Sequence, residues 1–162
     1  MSATTTIQVV GVKETINALK NIDPQLQKDF RTSATAIAQP AINAAKDVYT
    51  QVPLSGMAYK WASKGRQLFP FSVAKAKSGV KLRIDTRRNA VGVILIEQKD
   101  PATAIFETAG RANANRLGDQ LGFVGAGRTR LIGPAVYKAR RGIEAEMEKM
   151  ILETARTVSR SM

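Results

Sequence analysis

The sequence predicts an α+β fold: a small, mainly antiparallel β-sheet packed against two long α-helices, with long loops, in a single domain over residues 1–162. Three observations predict it. Apolar residues recur at threes and fours over residues 26–48 and again over 136–158, two long one-sided stripes of helical period. Between them, two short runs at 80–85 and 90–97 carry strand signatures and are separated by the turn-like "TRRN". The order β-α-α-β-β-α-α contains no internal repeat and no linker between two cores, which fits helices covering one antiparallel sheet.

The first element is a short strand. In "TIQVVGV", Ile7 and Val9 alternate with Thr6, Gln8 and Val10, the period of an extended chain. A short helix follows from about Val12, with Ile16 and Leu19 one turn apart. Asp23-Pro24 then pairs a carboxylate cap with a proline at the first helical position, where its missing N–H costs nothing. From there Leu26, Phe30, Ala34, Ile37, Ala41, Ala44 and Val48 form a continuous stripe. Pro40 lies inside it, and a proline in mid-helix removes a hydrogen bond and clashes with the carbonyl four residues back. A kink or break is therefore expected near residues 36–40.

Residues 51–72 lose all periodicity and hold prolines, glycines and four of the nine aromatic residues, which predicts a long loop. In "VAKAKSGVKLRID", Val80, Leu82 and Ile84 alternate with Lys81, Arg83 and Asp85, a half-exposed strand; "AVGVILIE" is apolar on both faces and should be more central. "TRRN" is short enough to join them as a hairpin. Asp100-Pro101 caps a helix "PATAIFETAG" closed by Gly110. Residues 112–130 are polar and glycine-rich with no apolar face, so 111–131 is a second long loop. The last helix starts near Pro134 and carries Val136, Ala139, Ile143, Met147, Met150, Ile151, Thr154 and Val158 on one stripe. Arg140 with Glu144, and Lys149 with Glu153, are spaced to pair across a turn.

Composition narrows the chemistry. The chain has 162 residues, of which 44% are hydrophobic and 23% charged, ordinary for a globular protein. It has no cysteine and no histidine, which removes disulfides, thiolate ligands, the commonest general base and the commonest zinc ligand. No catalytic set, metal site or cofactor is expected. No apolar run approaches the roughly 20 residues of a membrane span, and the start lacks a signal-peptide pattern, so a soluble protein is expected. The net charge of +12 is uneven: residues 1–50 hold five basic and four acidic groups, 51–100 ten and three, and 101–162 ten and six. The positive field sits in the middle and late regions and suits nucleic acid or an acidic protein surface.

The segment "GFVGAGRT", residues 122–129, satisfies the glycine frame of a phosphate loop, with Arg128 where lysine belongs. Such a loop works between a strand and a helix N-terminus that aims amides at the phosphate. Here "RANANRLGDQL" precedes it and Gly133-Pro134 follows, so a glycine loop leading into a docking helix is the better reading. Tyr59, Lys60, Trp61, Lys64 and Arg66 interleave aromatics with cations, a mix that can stack bases and neutralise phosphates or simply pin and solvate a loop. Glu107, a lone carboxylate between an apolar pair and a glycine end, is suited to pair with an arginine across an interface. Met147, Met150 and Ile151 can serve the core or a partner subunit.

The succession of a short strand, "TINALKNID", an alanine-rich helix ending "AAKDVYTQVP", an "SG" loop with Pro53, Ser55 and Gly56, a hairpin, "AIFETAGR" with Glu107, Ala109, Gly110 and Arg111, and "LIGPAVYKARRGIEAEME" opening at Pro134 and Ala135 resembles the neck or tail-completion family of long-tailed bacteriophages. The resemblance implies a non-enzymatic virion protein, assembled in the host cytoplasm. It implies a homo-oligomeric, commonly hexameric ring in the head-to-tail connection, whose lumen passes DNA without sequence-specific binding. Its partners would be a head-side connector and the tail tube or tail-terminator protein. A tail-terminator ring is the near alternative, and a small basic nucleic-acid-binding module the further one. The interface residues this implies are Lys60, Trp61, Lys64, Arg66, Glu107, Arg111, Arg128 and Arg130, with the loops 51–72 and 111–131 expected to be mobile alone and to order on assembly.

Overall fold

The computed structural model describes residues 2–51, 62–63, 66–67, 71–86, 94–109, 122, 124–125 and 128–161. In chain order these form β1 (Ala3–Ile7), α1 (Val12–Ile22), α2 (Pro24–Ile37), α3 (Gln39–Gln51), β2 (Ala62–Ser63), β3 (Arg66–Gln67), α4 (Val73–Gly79), β4 (Val80–Ile84), β5 (Ile94–Gln98), α5 (Pro101–Thr108) and α6 (Ile132–Ser161). The fold is α+β, as the sequence predicts.

The sheet is three-stranded and antiparallel in the order β1-β5-β4, with Ile7 and Ile84 both opposite Ile94, and Ala3 and Val80 both opposite Gln98. Every residue of the central β5 is buried, as expected of a run apolar on both faces. In β4, Lys81 and Arg83 are exposed while Val80 is buried and Leu82 and Ile84 half-buried, the predicted alternation. Asp85 departs from it: the side chain is buried, with Arg83 3.7 Å away. The β4–β5 connection at 87–93 lies outside the described residues.

The face of the sheet bearing Ile7, Ile94 and Ile96 joins one core with Val12, Ile16 and Leu19 of α1, Phe30 and Ala34 of α2, Ala41, Ile42, Ala45 and Tyr49 of α3, and Ile132, Val136, Ile143 and Met147 of α6. The helix pair α3 and α6 is the most extensive packing of two elements. Alanines on α3 permit that close approach. Met147 is fully buried and Met150 and Ile151 half-buried against the core, so this patch packs internally.

Pro40 divides the first long stripe as expected. Helix α2 ends at Ile37 and α3 begins at Gln39, while the Ala38 N–H still reaches the Ala34 carbonyl at 3.1 Å. Pro40 has no N–H to offer Ala36, so the helical ladder is interrupted while both halves keep one buried face. Asp23 caps α2 by accepting from the amides of Gln25 at 2.8 Å and Leu26 at 3.3 Å. On the predicted stripe Phe30, Ala34 and Ala41 are buried and Leu26 and Ile37 half-exposed; beyond Pro40 the buried face shifts from the expected Ala44 and Val48, which are half-buried, to Ile42, Ala45 and Tyr49. Leu26→Ala should accordingly cost about 1 to 2 kcal/mol in urea denaturation, below the range for a fully buried leucine.

Four expectations are corrected. The first strand is Ala3–Ile7 and ends before the alternation of Val9 and Val10; Gly11, at φ +91°, makes the left-handed turn into α1. Residues 73–79, expected to lead straight into a strand, form the short helix α4, whose Ser72 supplies no side-chain cap. Inside the predicted loop 51–72, Gln51 closes α3 and a two-residue ladder pairs Ala62 with Gln67 and Ser63 with Arg66; the other residues of 52–70 lie outside the described set. The last helix starts at Ile132, two residues before Pro134, because Leu131 and Ile132 find a capping group elsewhere in the chain. On that helix Arg140 pairs with Glu144, but Lys149 and Glu153 do not meet, consistent with the small worth of an exposed pair.

Candidate functional site

Three polar side chains lie where the apolar patterns would place core residues. Tyr49 follows the buried face of α3; Gln98 is in phase with Ile94 and Ile96 on the core side of β5; Glu107 is on α5, a helix buried over most of its surface. Tyr49, Gln98 and Glu107 are almost completely shielded from water. They are joined to one another. The Gln98 Nε2 donates to the Ala76 carbonyl at 2.8 Å and to the Tyr49 hydroxyl at 3.2 Å, and its Oε1 accepts from the Asp100 N–H at 2.8 Å. The Tyr49 hydroxyl donates to Glu107 Oε1 at 2.9 Å.

The other Glu107 oxygen, Oε2, accepts from the N–H of Leu131 at 2.8 Å and of Ile132 at 3.4 Å. A carboxylate borrowed from α5 thus caps α6, 24 and 25 residues along the chain. The next amide, Gly133 N–H, donates to Thr129 Oγ1 at 2.6 Å, and Thr129 is in turn 3.1 Å from the Thr5 hydroxyl on β1. Pro134 has no N–H. The amides at the start of α6 are therefore engaged within the chain, so this helix end has no amides to aim at a phosphate. Thr129, the last residue of the glycine-rich segment, thus supports the helix start.

Burial drives the Glu107 carboxyl above the ordinary carboxylate range, opposed by hydrogen bonds from Leu131, Tyr49, Ile132 and Arg130. Tyr49 is pushed above the usual phenol value, chiefly by burial and then by the Glu107 charge. The Arg130 N–H reaches the Glu107 carbonyl at 3.0 Å, and its guanidinium clamps the segment: Nε donates to the Phe106 carbonyl at 3.3 Å, and one terminal nitrogen to the carbonyls of Ala109 at 2.8 Å and Gly122 at 3.0 Å. It also stands 5.4 Å from the centre of the Phe106 ring. Partial burial lowers its pKa while Glu107 raises it.

These contacts revise the predicted interface set. Glu107 is fully buried and both its oxygens serve donors of the same chain, so the proposed arginine partner across an interface is replaced by an internal network. Arg130 is a half-buried clamp. Val124 is buried, which gives the end of the predicted loop 111–131 an anchor that its polar composition hides. Arg128 is exposed. Lys60, Trp61, Lys64 and Arg111 lie outside the described residues, and Arg66 is described only as part of the β2–β3 ladder. Arg130→Ala should cost about 1 to 2 kcal/mol in urea denaturation, because carbonyls of two segments lose a charged donor.

On either side of Pro134 the surface is concave. One depression of about 540 Å³ lies between α3 and α6, with Val48, Leu131 and Ala135 as apolar walls and Asp47 and Lys138 in its lining. The other, of about 670 Å³, runs between β1 and the start of α6 and is bordered by Arg128 and Tyr137, the latter 70% exposed. Among the described residues no group of acidic side chains is arranged to hold a metal ion, and no helix is long and apolar enough to cross a membrane.

No protein-family model, curated protein or solved structure matches the chain. Missed in the sequence were Tyr49, which lies one residue beyond the predicted stripe, and Gln98, whose polarity in phase with Ile94 and Ile96 is the signal that marks it.

Proposed function

We propose that the chain is a non-enzymatic structural protein of the head-to-tail connection of a long-tailed bacteriophage, forming a homo-oligomeric ring between a head-side connector and the tail tube or tail-terminator protein. The observation that carries this reading is the exposed face around Arg128, Pro134 and Tyr137, held on a frame whose buried carboxylate is wholly engaged in hydrogen bonds. A carboxylate with its oxygens committed to Tyr49 and to the start of α6 is a poor acid or base, while a rigid helix start flanked by concave surfaces suits docking. The +12 charge supports an acidic neighbour or passing DNA. In this reading DNA traverses the lumen without sequence-specific contacts.

The test is electron microscopy and mass measurement of the purified protein, followed by duplex-DNA titration at several salt concentrations. Closed rings, commonly sixfold, are expected. A chain that stays monomeric at high concentration while binding DNA with a steep salt dependence would overturn the ring and favour the basic nucleic-acid module.

A further inference from the structure

The two edges of the sheet are built differently. On β4 the exposed positions are Lys81 and Arg83, charges of the kind that discourage another strand from pairing. On β1 the sequence is Ala-Thr-Thr-Thr-Ile, with no charge, no proline and three β-branched threonines in succession. An edge strand presents a row of backbone N–H and C=O groups to whatever lies beside it.

The depression of about 670 Å³ lies along that edge. Side chains alternate between the faces of a strand, so a cavity against one face would touch Thr4 and Thr6, or Thr5 alone. This one is lined by Thr4, Thr5 and Thr6 together, and its far wall is Pro134 and Tyr137 of α6 with Arg128 at the border. It therefore follows the backbone of β1. From the geometry we infer that the β1 edge is a docking groove for an extended segment of an acidic partner protein, which adds to the sheet as a fourth strand.

The chemistry of the walls selects that occupant. The strand would take its main-chain hydrogen bonds from β1, one face would lie against the exposed Tyr137 ring, and an acidic side chain would meet the exposed Arg128 guanidinium. The field of a chain with net charge +12 favours an acidic segment over a basic one or a second copy of itself. This inference stands independently of the ring reading, since a monomer and a ring subunit both carry the edge.

The probe is a synthetic seven-residue peptide alternating valine and glutamate, compared with a valine-lysine version and with an acidic version carrying a central proline. Binding to the full chain is followed by fluorescence anisotropy, and the backbone amides of residues 4–6 by NMR and hydrogen exchange. The acidic peptide should bind saturably, protect at least one amide of residues 4–6, and lose at least tenfold in affinity with the central proline. Arg128→Glu should weaken the acidic peptide about tenfold and strengthen the lysine version; Tyr137→Ala should weaken both, with circular dichroism unchanged. The proposal is overturned by absence of binding, by equal affinity for both charge types, or by protection confined to α6. Protection of residues 4–6 that grows with protein concentration alone would also overturn it, assigning the edge to a second copy.

Discussion

Glu107→Ala is expected to destabilise the protein by about 3 to 5 kcal/mol in urea denaturation, one of the two largest single-residue effects expected here. The carboxylate receives three donors, the Tyr49 hydroxyl and the amides of Leu131 and Ile132, and burial denies them water as a substitute. Removing it strands those groups and uncaps α6 where that helix meets the core. Glu107→Gln keeps the size and one carbonyl oxygen, so about 1 to 2 kcal/mol should be lost. Its amide cannot serve both sides: with the oxygen facing the helix amides, its NH₂ meets a Tyr49 oxygen that already accepts from Gln98.

The same pair of proteins gives a pH signature. Burial raises the native Glu107 pKa above its ordinary value of 4.5. In the window above 4.5 the native state then holds more protons than the unfolded chain, so stability falls as pH rises. The contribution is fully present below 4.5 and is lost as pH climbs through the raised native value. The glutamine variant lacks this group, so the stability difference between wild type and variant should shrink as pH rises. A difference that grows over the same range would show that hydrogen bonding outweighs burial.

What could be read in the sequence was local. Asp23-Pro24 and Asp100-Pro101 announce two helix starts because cap and proline are adjacent in the chain, and the structure places Asp100 as the acceptor for Thr103 N–H at 2.9 Å. The break at Pro40 follows from covalent structure alone. The strand alternation of β4 and the central position of β5 follow from side-chain period. The misread elements lack such markers: α4 spans only seven residues with no cap hydrogen bond from its Ser72, and β1 is three threonines between Ala3 and Ile7, with no apolar alternation to mark its limits.

The candidate site was harder for the same reason. The sequence marks Glu107 as a lone carboxylate in an apolar setting, but its partners lie 58, 24 and 25 residues away, and no spacing rule joins them. Arg130 resembled a loop cation because its acceptors are backbone carbonyls, which any sequence supplies. The expected pairing of Glu107 with an arginine across an interface was therefore the wrong inference from a sound observation, that this carboxylate needs donors.

Gly79→Ala and Gly142→Ala should have opposite signs, although both add one methyl group at a glycine assigned to a helix. At Gly79 the new Cβ would lie 2.0 Å from Gln98 Oε1, 2.9 Å from the Asp100 backbone nitrogen and 3.0 Å from its Cβ. The glutamine cannot step aside, because its Nε2 is held by Ala76 and Tyr49 and its Oε1 holds the Asp100 amide. Nor can the backbone move cheaply, since the Gly79 carbonyl accepts from the Lys99 N–H at 2.9 Å. The methyl must either separate α4 from the end of β5 or break the Gln98 bonds that support Tyr49 and, through it, Glu107. A loss of about 3 kcal/mol is expected, combining overpacking with one broken buried hydrogen bond. At Gly142 nothing lies within 4 Å of the added carbon, and in the middle of α6 alanine gains about 0.5 to 1 kcal/mol over glycine. Urea midpoints of the two variants beside wild type decide the matter: a Gly79→Ala protein as stable as wild type would mean that Gln98 has room to move, and the buried network would lose its claim to rigidity.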